Sequence, residues 1–158
     1  MATPNTTFVA NTVLTAAQQN NFPFGVISRK YDTAAVATVN STTETSFLAS
    51  PAFTPVAGRL YRCTYSIGYV VKITNGGNVY IRMRKDTTAG TILNESFYSS
   101  LGVGVYVPFS TSIFLTSTQM GTTSFVPTIT IQANTSGFTA DNTGDTHGTI
   151  LFEDIGSA

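Results

Sequence analysis

Catalysis needs polar or nucleophilic groups that converge, so the eight carboxylates, one histidine and one cysteine of this chain bound its chemistry. His147 stands in the run GDTHGT, where a turn histidine is a plainer reading than a base. With no second histidine, a multi-histidine zinc site within one subunit is excluded. Asp141, Asn142 and Asp145 share the oxygen-rich run TADNTGDTHG, but it lacks the spacing and the closing bidentate Glu of a calcium loop. Asp, Asn and Gly are equally the default turn residues. Glu153 and Asp154 are neighbours on an expected strand and point to opposite faces, so they form no glycosidase pair. Cys63 lies inside an apolar alternation and reads as a buried, inert thiol, with no intrachain disulfide available to it. No phosphate-binding glycine loop, dinucleotide fingerprint or nucleophile elbow is present. These readings predict no catalytic residues, no metal and no cofactor; the chain is not expected to be an enzyme.

Exposed aromatic faces offer a different chemistry, the stacking of sugars. Tyr80, Tyr98 and Tyr106 are the candidates for contact with a glycan, although Trp, the strongest platform, is absent. Arg82, Arg84 and Lys85 cluster, yet the formal net charge is zero, so counterion release contributes little and no nucleic-acid partner is expected. The cluster reads instead as an exposed strand face. No run of eighteen apolar residues appears, so no membrane span is expected. The opening MATPNTTFVANTV lacks a basic stretch followed by an apolar one, which predicts synthesis in a cytoplasm without a signal peptide.

The elements that must position these residues are β-strands. LYRCTYSIGYVVKI (residues 60–73) alternates with period two, putting Tyr61, Cys63, Tyr65, Ile67, Tyr69, Val71 and Ile73 on one face. NGGN follows, then VYIRMRK with Val79, Ile81 and Met83 inward; this predicts a hairpin over residues 60–85. Residues 25–31 and 34–40 are expected to pair across Asp32-Thr33. Shorter strands are expected at 45–48, 91–97, 124–134 and 148–155. Residues 103–117 read as two strands broken near Pro108, because proline cannot donate to a central ladder. About eight short strands without a long helix predict an all-β fold, an antiparallel jelly-roll-like β-sandwich over residues 24–158.

Residues 1–23 read as an N-terminal arm with one short helix. In VLTAAQQNN, Thr15 and Gln18 form a capping box and Pro23 stops the element. So short a helix is not stable alone and must dock on a surface. Phe8, Val9, Val13, Leu14, Thr15, Gln18 and Phe22 are therefore the expected attachment and oligomer contacts. Charged residues make up only 10% of the chain, against about 25% in ordinary domains, so the surface is Thr, Ser, Asn, Gln and Gly. Such a surface suits a protein held in an assembly.

Three segments resemble the small tail-associated virion proteins of tailed bacteriophages, many of them called minor tail proteins. FVANTVLTAAQQNN is similar to their hydrophobic–x–Leu-Thr-Ala-Ala-x-x-Asn segment, PVAGRLYRCTYSIGYV to their Gly-x-x-Tyr-x-Val strand, and ILFEDIG to their closing Val-Glu-Asp-Leu-Gly strand. The resemblance covers the two ends and the middle, with the loops unmatched. It implies a virion-located, all-β structural protein, assembled as a homo-oligomer, with a trimer favoured, beside other tail or capsid proteins. It transfers no catalytic residues. The alternatives are a capsid decoration or head-fibre protein, and a carbohydrate-binding module that reads the host surface.

Overall fold

The computed structural model describes residues 22–32, 36–39, 42–72, 77–99, 102–134, 137–141 and 147–158. The expected helix and its contacts from Phe8 to Gln18 lie outside these residues, as do Asn142 and Asp145. Within them the chain forms ten strands: β1 (Gly25–Asp32), β2 (Val36–Val39), β3 (Thr45–Ala49), β4 (Arg59–Lys72), β5 (Val79–Lys85), β6 (Ile92–Tyr98), β7 (Tyr106–Thr116), β8 (Pro127–Ala133), β9 (Phe138–Asp141) and β10 (Gly148–Ser157). A one-turn helix, α1 (Ser117–Met120), joins β7 to β8. Thr116 caps it, accepting from the Gln119 N–H while the Gln119 side chain accepts from the Thr116 N–H.

The strands make two antiparallel sheets. The first runs β1-β10-β4-β9-β2, with β7 on the other edge of β4; the second runs β3-β8-β5-β6. β9 and β10 lie in line along one edge of β4, pairing with residues 69–72 and 59–66 respectively. β1 pairs β10 and β2 pairs β9, so both the first and the last strand are interrupted at one level. Counting each broken strand once leaves eight, ordered 1-8-3-6 and 2-7-4-5. That order is a jelly roll.

The topology corrects three expectations. β4 and β5 form no hairpin; they belong to opposite sheets, because each carries an apolar face that must meet the other's across the core. β1 and β2 do not pair with each other, since each takes half of the broken last strand as its partner. Pro108 does not break its segment: β7 is an edge strand, and Pro108 falls where the β4–β7 register shifts between Ile67 and Val70. β9 went unrecognised because Phe138–Asp141 sits among turn residues.

That register shift also changes which β4 residues face inward. Tyr61, Cys63, Tyr65 and Ile67 are buried as expected, but the next fully buried residue is Val70, not Tyr69. The extra residue at Gly68-Tyr69 reverses the alternation and turns Tyr69 to the outer face. Between the sheets, these residues pack against Val79, Ile81, Met83, Ile129, Ile131, Ile150 and Phe152. The Cys63 thiol is buried in this core, and burial raises its pKa far above the ordinary thiol value. Burial pushes the Tyr65 hydroxyl up to about 12, while Asn94 Nδ2 donates to it at 2.9 Å across the sandwich.

Candidate functional site

The outer face of the second sheet concentrates the polar side chains of the molecule. Alternation along β5 sends Val79, Ile81 and Met83 into the core and Tyr80, Arg82 and Arg84 outward. The β5–β6 register sets Tyr80 opposite Phe97 and Arg82 opposite Glu95. On the other side of β5, β8 sets Gln132 opposite Tyr80 and Thr130 opposite Arg82. Residues 42–44 lie across this face: Gln132 Nε2 donates to the Thr42 carbonyl at 2.6 Å, and the Glu44 carboxylate enters the arginine pair.

Glu44 organises the network. Arg84 donates to it through Nε at 2.6 Å and Nη2 at 2.7 Å, and Arg82 through Nη1 at 3.0 Å. The Thr130 hydroxyl also donates to Glu44. Burial works against the Glu44 charge, but these hydrogen bonds and the two guanidinium charges outweigh it and hold its pKa below the usual value. Arg82 reaches further, to Gln132 Oε1 at 2.6 Å and Glu95 Oε2 at 2.5 Å. Arg82 and Arg84 are therefore not the exposed strand face that their spacing suggested; their side chains are 11% and 12% accessible, satisfied by carboxylates. Beside the network, the Arg82 guanidinium lies 5.1 Å from the centre of the Tyr80 ring. Tyr80 and Phe97 rings stand 6.0 Å apart at 39°, and Phe97 is 59% exposed.

The three tyrosines of the glycan expectation do not come together. Tyr80 is on this outer face. Tyr98, one residue past Phe97, turns inward: its ring meets Phe109 edge-on and its hydroxyl donates to the Pro108 carbonyl at 3.0 Å. Tyr106 lies on the other sheet, 65% exposed, with its ring edge-on to Tyr69 at 5.0 Å. There the Tyr69 hydroxyl donates to Asp141 Oδ2 at 2.8 Å, and Asp141 raises the Tyr69 pKa. His147 is exposed with its ring 4.8 Å from Tyr31. Among the described residues no group of three or more His, Cys, Asp or Glu could hold a metal ion. No helix among them is long and apolar enough to cross a membrane.

The region around Phe22, Phe24 and Val26 has its own construction. Arg59 and Asp154, buried to within a few per cent, are joined by two hydrogen bonds, one of them Nε to Oδ2 at 2.9 Å. Asp154 Oδ1 also accepts from the Gly156 N–H. The same guanidinium donates to the Phe22 carbonyl at 2.5 Å and lies 4.2 Å from the Phe24 ring centre. Glu153 points the opposite way, as its strand position requires, and pairs with Arg62 on the outer face at 2.8 Å. Phe22, Phe24, Val26 and Val56 are exposed at this end.

The chain is similar to several solved structures. The chain overlays on the infectious bursal disease virus VP2 subviral particle protein at TM-score 0.51 and 10% identity, covering 81% of this chain and 32% of that one. It thus spans about a third of that chain's length. It also overlays on a Bacillus endospore appendage protein (TM-score 0.42, 15% identity, 94% and 100% covered). A family 6 carbohydrate-binding module of Cellvibrio mixtus lichenase 5A follows (TM-score 0.39, 12% identity, 86% and 92% covered). At such identities the VP2 likeness speaks to the fold: a jelly-roll β-sandwich that viral capsid proteins also use. No family model and no curated protein matches the chain.

Glu44, Glu95, Phe97 and Gln132 were not singled out from sequence. A signal for two of them existed: the short loop DTTAG between β5 and β6 sets the register that places Phe97 against Tyr80 and Glu95 against Arg82. Glu44 and Gln132 had none, since their meeting with Arg82 depends on β8 lying beside β5.

Proposed function

We propose that the protein is a non-enzymatic virion structural protein of a tailed bacteriophage, tail-associated, and assembled as a symmetric trimer through its N-terminal arm. The observation that carries this reading is the construction at the start of the sandwich. Arg59, locked by Asp154, grips the Phe22 carbonyl and the Phe24 ring, while Phe22, Phe24, Val26 and Val56 face outward. A firmly held exit with an apolar apron suits an arm that joins subunits, and exchanged arms are a low-cost route to closed oligomers. The scarcity of surface charge and the jelly-roll architecture support the same role.

Deletion of residues 1–21 tests it. The truncated protein should keep a cooperative thermal transition within a few degrees of the full chain, run as a monomer in light scattering, and be missing from purified particles. Truncated protein that enters particles at normal occupancy would overturn the reading. Copy number per particle separates a tail component from a capsid decoration protein, which would be present in hundreds.

A further inference from the structure

We propose that the outer face of the second sheet is a binding site for a neutral oligosaccharide, with Phe97 and Tyr80 as the stacking platform and Arg82, Glu95 and Gln132 as the polar rim. This inference stands apart from the assembly role.

Phe97 is 59% exposed on the edge strand β6, beside the polar side chains that β5 presents and next to a second aromatic ring, an arrangement that folding does not require. Exposed aromatic surface ringed by polar groups marks a binding site. The platform is also fixed in advance. Tyr80 is backed by the Arg82 guanidinium, and Arg82 is held by Glu95, Glu44 and Gln132 together. A ligand would find little left to order, and the entropic cost of binding falls accordingly.

Charge selects the class of ligand. The face carries two arginines, Arg82 and Arg84, and two carboxylates, Glu44 and Glu95, paired with one another. An anionic ligand, whether nucleic acid or an acidic glycan, would have to displace a carboxylate from a guanidinium. A neutral ligand with a flat C–H face and several hydroxyls fits without that exchange. Its C–H face meets the aromatic rings. Its hydroxyls meet Glu95, 39% accessible and accepting, and the Tyr80 hydroxyl, which has no hydrogen-bond partner among the described residues. Pyranose sugars have this character.

The test uses the full chain on an array of neutral oligosaccharides (gluco-, galacto-, manno- and N-acetylglucosamine series) beside sialylated and sulfated ones, with the best hit titrated by amide NMR. We expect a neutral hit whose shifts centre on residues 80–82 and 95–97. Phe97→Ala should weaken it about tenfold or more with an unchanged thermal midpoint, Tyr80→Phe should weaken it less, and Tyr106→Ala should leave it unchanged. Absence of any neutral hit, preference for the anionic glycans, or binding insensitive to Phe97→Ala overturns the proposal. Because the titration reads the isolated protein, its outcome is independent of whether the arm drives assembly.

Discussion

Arg59 and Asp154 show how much one pair of residues can be asked to hold. Two charges taken out of water are tolerated only with near-complete hydrogen bonding, and breaking such a pair strands the survivor. Arg59→Leu leaves the Asp154 carboxylate buried beside the Gly156 N–H, and it removes the guanidinium from the Phe22 carbonyl and the Phe24 ring. The expected loss is about 3–5 kcal/mol, read from the urea midpoint. Arg62→Leu is the control, because the Arg62–Glu153 pair lies on the surface and is screened by solvent; it should move the urea midpoint far less than Arg59→Leu. Cys63 makes the opposite kind of prediction. Burial holds it as a neutral thiol, so a thiol reagent at pH 8 should label the chain only across the denaturation transition.

Residues 42–44, which precede β3, act as an element through Glu44. The Glu44 pKa is lowered in the folded protein, so its contribution to stability is fully present above the ordinary carboxylate value. It is lost as pH falls through the lower folded value. The urea midpoint of the wild type should therefore fall below about pH 4.5, and Glu44→Gln should start lower at pH 7 and respond less to acid. A Glu44→Gln profile as steep as the wild type would place the acid sensitivity elsewhere. At α1, Thr116→Ala removes the cap of a single turn and should cost about 1 kcal/mol in the same assay.

The whole molecule depends on contacts between its two ends. β10 lies between β1 and β4, so its ten residues complete the middle of the first sheet. A chain ending at His147 would expose both neighbouring ladders and the faces that Ile150 and Phe152 cover. It should show no cooperative unfolding transition by calorimetry, whereas removal of residues 1–21 should leave one. The jelly roll also explains why its surface is divided by function in our reading. Assembly is proposed for the end where Arg59 holds Phe22 and Phe24, and sugar recognition for a sheet face built from β5, β6 and β8.

By itself the sequence determined the strands and their faces wherever alternation ran unbroken. Val79 to Lys85 was bounded to the residue, and the opposite facing of Glu153 and Asp154 followed from period two. The inert Cys63 was also legible, because a thiol between Tyr61 and Tyr65 on an apolar face has nowhere else to go. Pairing was not legible. Asn-Gly after β4 signalled a reversal, but a reversal can lead to the neighbouring strand or across to the facing sheet, and only the burial of both apolar faces together chose the second. One extra residue at Gly68-Tyr69 moved Tyr69 from the core to the surface, a local event that alternation cannot reveal. The Glu44–Arg82–Arg84–Gln132 network belongs wholly to tertiary structure: its members come from three distant segments, and their charges could be buried only where each found its partner.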